Sequence, residues 1–447
     1  MKISSLTLKT VLVAIYLFAS PLFGNVKEME QNHRTEGALI YELKDADTAH
    51  FPILQSLVQE ALLSNPSIQA ARNQWQASTK VPSQVSTPPD PEITFGSMSS
   101  GNLLPFSTIG DGPVSWASFM FMQSIPWPGK LSLKGDIAET DAARTAEFYE
   151  AVTLDVIQQV KEAYFELYSI DQARAILDRY GELLHSLSRI AEARYSVGEG
   201  IQQDVLRSQV EISLIQERLE LLGERRESVQ ARINSLLNRS PDVYLATVNE
   251  IKDIPTELPF SLERLYLAAR ESNPEIEAER LGIERASLEL DLANKEFYPD
   301  FTGSISYLPR GGSFENMYEY QVGVTIPLYF WRKERLGVEE NVEELSEARH
   351  LYQSKLQDVT FRIKDAYLSA RTSQRLAQLY RSGIIPQATA SLDSALSGYQ
   401  VGTVDFFALV ENALTILNYE IQYHEEISDF YRALARLEEL LAVVLVR

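Results

Sequence analysis

The 447-residue sequence contains no cysteine. That excludes disulfides, thiolate metal sites and the N-terminal lipid that some envelope proteins carry on a cysteine. Histidine is scarce: His33, His50, His185, His350 and His424 are scattered, with no H-x-x-x-H or H-E-x-x-H spacing. Neither G-x-G-x-x-G nor G-x-x-x-x-G-K occurs, and Gly311-Gly312-Ser313 reads as a turn, not a phosphate cradle. Positive charge is in deficit, with 41 Lys and Arg against 62 Asp and Glu and a net charge of −21, which argues against a nucleic-acid partner. The abundant carboxylates lie on helix flanks and read as a solvated face. No stretch approaches the ~18 uninterrupted apolar residues of a membrane helix, so a bilayer would have to be entered as strands. No catalytic, cofactor or metal site is expected, and the chain does not read as an enzyme.

The N-terminus reads as a secretory signal over residues 1–24. Lys2 and Lys9 form the basic region, Val11–Ala19 the apolar core, and Pro21-Leu22-Phe23-Gly24 the approach to cleavage. Its removal, two lysines in all, takes the net charge from −21 to −23. Residues 25–52 are polar and aperiodic and are expected to form a loose tail.

What the sequence does contain is one turn and its copy, Tyr195-Ser196-Val197-Gly198 and Tyr399-Gln400-Val401-Gly402. Before the first turn, apolar or small residues run from Tyr149 through Val160, Leu167, Leu177 and Leu184 to Ala191, in twelve steps over 42 positions, a mean of 3.5. That period is the seam of a left-handed coiled coil. The seam resumes after the turn at Ile201, Val205, Ser208, Ile212, Ile215, Leu219, Leu222, Val229, Ile233 and Leu236. Gly198 and Gly402 suit the left-handed position that ends a helix. Two antiparallel coiled-coil hairpins are expected.

The rest of the chain repeats as well. Ser64-Asn65-Pro66-Ser67-Ile68 returns 208 residues later as Ser272-Asn273-Pro274-Glu275-Ile276, and Pro91–Met98 returns at the same offset as Pro299–Ser306. Ile125-Pro126 returns at 326–327, Lys161-Glu162-Ala163-Tyr164 at 364–367, and the turn 204 residues on, which together mark a tandem duplication. The expected organisation is repeat 1 over 53–240, with a helix, a strand pair at 91–126 and a hairpin at 130–238. A linker follows at 241–259. Repeat 2 covers 260–447, with a helix, a strand pair at 299–328 and a hairpin at 332–441. The first helix is expected to start near Ser56, where Ser56 and Gln59 have capping-box spacing.

Strands of about ten residues have the length to cross an outer membrane at a tilt. Their alternation is cleanest in the second repeat, where Phe301, Gly303, Ile305 and Tyr307 oppose Thr302, Ser304 and Ser306. Trp116, Trp127, Tyr318, Tyr329, Phe330 and Trp331 fall where an aromatic girdle would, followed by Lys130 and by Arg332-Lys333. Four strands cannot close a barrel, and an open sheet edge in lipid leaves backbone groups unsatisfied. The chain is therefore expected to oligomerise.

The duplicated Asn-Pro motifs, the strand pairs, Ile125–Lys130 and the two turns together resemble the TolC-like outer-membrane channel family, over essentially all of the mature sequence. The resemblance implies a mainly α fold with a membrane β-barrel. It implies a homotrimer that joins a twelve-stranded barrel to an α-helical periplasmic tunnel, set in the outer-membrane lipid of a Gram-negative-type envelope. The implied partners are a periplasmic adaptor and an inner-membrane efflux pump. The implied cargo is drugs, metal ions or, in other members, secreted proteins, the last through a type I secretion system. Met120–Gln123 and Ile125–Lys130 look most like members serving proton-driven heavy-metal and drug pumps. The family's periplasmic lock lies near the turns; matching positions here hold Tyr399 and Asp204, with Gly198 and Gly402 at the reversals. Val404 stands where the family places an arginine, and its gate aspartates align with Ala408 and Glu411. A periplasmic adaptor or scaffold, which also uses coiled-coil hairpins, is the competing reading; it would normally carry one hairpin, not two alternating with strand pairs.

Overall fold

The computed structural model describes residues 51–247, 251, 254, 258 and 261–443. The expected export signal, most of the expected N-terminal tail and much of the expected linker lie outside the described residues.

Helix α1 (Pro52–Ser64) is followed by α2 (Pro66–Ser78) and a short α3 (Val81–Val85). Ser56 does not cap α1: the helix starts four residues earlier, and the Ser56 hydroxyl donates to the Ile53 carbonyl at 2.7 Å. Proline at the first helical position, where no N–H is needed, sets that start instead. Strands β1 (Glu92–Met98) and β2 (Trp116–Ile125) lead into α4 (Lys130–Ser196) and α5 (Gln202–Leu236). The second series comprises α6 (Leu262–Ser272), α7 (Pro274–Lys295), β3 (Asp300–Leu308), β4 (Met317–Thr325), α8 (Glu334–Leu379), α9 (Ile385–Gln400) and α10 (Phe406–Leu441). At 67 residues α4 is roughly 100 Å long.

The coiled-coil seams are the core. Val156, Val160, Ala163, Leu167, Ile170, Ala173, Leu177, Tyr180, Leu184, Leu187 and Ala191 are all buried along α4, as are Phe406, Leu409, Ala413, Ile416 and Ile427 along α10. Helix α4 packs along α5, α7 and α10, and α8 packs along α7 and α10. Ser208, a polar residue inside the seam, meets the Ser188 hydroxyl at 2.8 Å, both buried. A satisfied polar pair at one seam position fixes which turn of one helix faces which turn of the other.

The Ser-Asn-Pro motif is a staple. Asn65 Oδ1 accepts from the Ser67 and Ile68 N–H groups, while its amide donates to the Leu236 carbonyl at 2.8 Å and Ser64 Oγ reaches the Leu237 carbonyl. In the copy, Asn273 Oδ1 accepts from Ile276 N–H, its amide donates to the Leu440 carbonyl at 2.9 Å, and Ser272 Oγ donates to that of Leu441. One buried side chain thus satisfies orphan donors at the start of a helix and an orphan acceptor at the end of another.

The repeats differ in one respect the periodicity does not reveal. Between α8 and α9 the helix widens into a five-residue π turn, Tyr380–Ile384. Pro386, in the first turn of α9, has no N–H, and its ring would collide with the carbonyl four residues back in an ordinary α-helix. The Tyr380 hydroxyl donates to Gln422 on α10, and its ring lies 6.0 Å from Tyr419. Helix α4 has no such break.

Candidate functional site: sheet face, rim and hairpin tip

The four strands form one antiparallel sheet in the order β1-β2-β3-β4. Its register decides which side chains share a face. Ile93 pairs with Phe121 and Phe95 with Phe119; Phe121 pairs with Ile305, Phe119 with Tyr307 and Ile125 with Phe301. Across the last ladder Phe301 pairs with Val324, Ile305 with Tyr320 and Tyr307 with Tyr318. The aromatic and β-branched apolar residues Ile93, Phe95, Phe119, Phe121, Ile125, Phe301, Ile305, Tyr307, Tyr318, Tyr320, Val322 and Val324 therefore share one face. Apart from buried Ala117 and half-buried Phe301 it is exposed, up to 73% at Tyr320 and 83% at Val322. The opposite face carries Thr94, Ser118, Ser124, Thr302, Ser304, Ser306, Glu319 and Gln321, with Met98, Met120 and Met122 among them. Aromatic pairs tie the exposed face together: Phe95 meets Phe119 edge-on at 5.3 Å, and Tyr307 lies 5.4 Å from Tyr318.

Two expectations for the aromatic girdle need correction. Trp116 pairs with Met98 on the polar face, because it is one residue out of phase with Ala117 and Phe119. Trp127 is half-buried and stacks on Tyr298 at 5.0 Å and Phe301 at 5.8 Å. Lys130, expected at a membrane–water boundary, is instead buried, its side chain 4% exposed. Its ammonium lies 3.0 Å from both Glu296 and Asp300 and donates to the Tyr298 carbonyl, while Asp300 also accepts from Trp127 N–H at 2.7 Å. Burial works against the lysine's charge, but the hydrogen bonds to Asp300 and Glu296 carry its pKa above the ordinary lysine value. Tyr318, Tyr329, Phe330 and Trp331, by contrast, are exposed.

At the far ends of the hairpins Gly198 and Gly402 adopt φ of +79° and +74°, and a Cβ at either would meet nothing within 4 Å. The tight position is Gly398, where a Cβ would lie 2.5 Å from Val404 Cγ2. The structure does not join Tyr399 to Asp204 by a direct hydrogen bond among the described contacts. Arg194 sits at their junction: its Nη1 donates to the Tyr399 carbonyl at 3.0 Å and its guanidinium lies 4.9 Å from the ring centroid. Burial raises the Asp204 carboxyl pKa, neighbouring Asp405 raises it further, and Arg194 opposes both. Tyr399 is buried against Phe406, its hydroxyl pKa raised by burial and opposed by Arg194. Glu411 is exposed on α10, and among the described contacts no hydrogen bond or ion pair joins it to this cluster. Arg194 and Gly398 were not singled out from the sequence. An arginine and a glycine close to duplicated turns are the only signal that could have found them.

Among the described residues no helix is long and apolar enough to cross a membrane, and no group of three His, Cys, Asp or Glu could hold a metal ion. Long paired helices joined to a sheet with one exposed apolar face define a class of mainly helical, membrane-associated envelope protein.

The family described as "Outer membrane efflux protein" matches residues 57–239 and 265–443, and the chain belongs to it. The chain is 20% identical over 317 residues to the cobalt-zinc-cadmium resistance protein CzcC of Cupriavidus metallidurans, covering 70% of this chain and 74% of that one. It is 23% identical over 271 residues to the outer membrane efflux protein BepC of Brucella suis, covering 59% of this chain and 58% of that protein. In fold it is similar to the outer membrane protein VceC of Vibrio cholerae, with a TM-score of 0.74 at 17% identity over 87% of this chain and 96% of that one.

Proposed function

We propose that three copies of this chain close a twelve-stranded barrel in the outer membrane, continued by a periplasmic helical tunnel, and serve as the exit duct of a tripartite efflux pump. The observation that carries the reading is the sheet: one continuous apolar face across four strands, with both edges open. Unpaired edge groups in lipid cost several kcal/mol each, so the sheet is stable there only when further copies pair with β1 and β4. The adaptor would dock at the hairpin tips, where Val197, Ile201, Val401 and Phe407 are exposed. The Arg194, Asp204 and Tyr399 cluster would hold the tips inward as a gate, with Gly198 and Gly402 permitting the reversals. The cargo class is small molecules or metal ions; the likeness to CzcC favours metal cations.

An acidic chain repeated threefold around a pore draws in positive ions. Planar bilayers containing the purified protein should therefore show conductance with cation preference, read from the reversal potential under a salt gradient. Anion preference would contradict the acidic-tunnel reading, and the absence of any conductance would contradict the duct.

A further inference from the structure

The two repeats treat the same boundary in opposite ways. In the first, Ile125-Pro126 leads through Trp127 and Gly129 to Lys130, and both aromatic and cation turn inward, onto Tyr298 and Phe301 and between Glu296 and Asp300. In the second, three additional residues separate Ile326-Pro327 from the helix, and the intervening turn, Leu328–Lys333, faces outward. Backbone bonds from Arg332 and Lys333 N–H to the Tyr329 carbonyl and from Arg335 N–H to that of Phe330 hold the turn. Trp331 packs edge-on to Phe330 at 5.2 Å and to Tyr329 at 6.1 Å, yet Tyr329 is 70% exposed and Trp331 54%.

Resting on the membrane reading above, we propose that this turn is a binding site for an anionic phospholipid headgroup in the inner leaflet of the outer membrane. Two observations select that occupant. The turn continues the exposed apolar face, through Val324, Ile326 and Leu328, so its aromatic rings lie where that face meets the helical end of the sheet. Its charge is also opposite in sign to that of the chain: Arg332, Lys333 and Arg335 stand against Glu334 within the segment, while the whole carries −21. Lys333 has an 82% exposed side chain and only a 3.6 Å contact to Glu334, whose own side chain is 7% exposed. Arg335 pairs at 3.0 Å with Glu339, so Arg332, which has no carboxylate partner among the described contacts, and the exposed, loosely paired Lys333 are the cations placed to meet a phosphate. Aromatic side chains anchor at such a boundary while the cations reach the phosphates. The inward-turned Lys130 supplies the contrast, since its charge is already neutralised by two carboxylates.

The test is Trp331 fluorescence in the full-length protein, reconstituted in phosphatidylethanolamine vesicles containing brominated phosphatidylglycerol or brominated phosphatidylcholine. The signal assigned to Trp331 is the difference between the natural protein and Trp331→Tyr. Each cation near an anionic surface enriches the lipid about fivefold, so quenching by the glycerol lipid should exceed that by the choline lipid. Arg332→Gln with Lys333→Gln should remove the preference while conductance persists. Equal quenching by the two lipids, or no quenching because a neighbouring copy covers the turn, would overturn the lipid site alone. A protein that neither conducts nor is quenched would instead contradict the membrane reading on which the site rests.

Discussion

At the residue scale, single polar side chains carry much of the architecture. Asn273 caps α7 and holds the Leu440 carbonyl near the end of α10. Asn273→Ala removes a cap that stabilises by about 1 kcal/mol and a buried hydrogen bond of similar size, a loss of about 2 kcal/mol. Asn273→Ser keeps a capping oxygen but is too short to donate to the carbonyl, so its denaturation midpoint should fall between the natural protein and Asn273→Ala. Equal midpoints for the natural protein and Asn273→Ser would show that the carbonyl contact contributes nothing. Glu147, on α4, is a second case. Burial raises its carboxyl pKa first, Glu150 and Glu277 add to this, and Arg280 opposes, leaving it at about 7. A carboxyl raised on folding contributes stability while protonated and loses it as pH rises through the folded value. Glu147→Gln should therefore stabilise at pH 8 by about 1–2 kcal/mol, discounted for partial exposure, and change little at pH 5. A constant difference between the variants across that range would contradict the assignment. The Asn-Pro pairs were legible in the sequence as repeated helix starts. Their carbonyl partners were not, because they lie 167 and 171 residues away and no local pattern encodes them.

At the element scale, the 3.5-residue seams were legible because burial on one stripe is a local, periodic requirement, and Val160, Leu177 and Leu409 are buried as that stripe demands. Which residue of a strand joins the exposed apolar face depends on phase, and Trp116, one residue out of phase with Ala117, lies on the opposite face beside Met98. The inward turn of Lys130 was illegible because its partners Glu296 and Asp300 come from the other repeat. The π turn was illegible because a seam can run through it, although Pro386 was its trace. At the tips, Arg194 donates to the Tyr399 carbonyl and lies close enough to Asp204 to oppose its raised pKa. Arg194→Ala should accordingly raise single-channel conductance more than Glu411→Gln, since Glu411 stands outside the cluster. The opposite ranking would move the gate to the exposed flank of α10. Gly398→Val would force Val404 away from its present contact and should lower the thermal midpoint. Gly402→Ala has only backbone strain to overcome, of order 1 kcal/mol.

At the scale of the whole molecule, the sheet of one chain is an open one of four strands. A four-stranded open sheet with an exposed aromatic face is unfavourable in water through its apolar surface and in lipid through its edges. Both costs disappear when β4 of one copy pairs with β1 of the next and the ring closes, and three copies supply twelve strands, within the range of known barrels. The most direct test is the native mass of the detergent-extracted protein, read alongside protease protection of the strands in reconstituted vesicles. The account predicts a single species of three chains whose strands are protected. A stable monomer that inserts into bilayers with protected strands would contradict it.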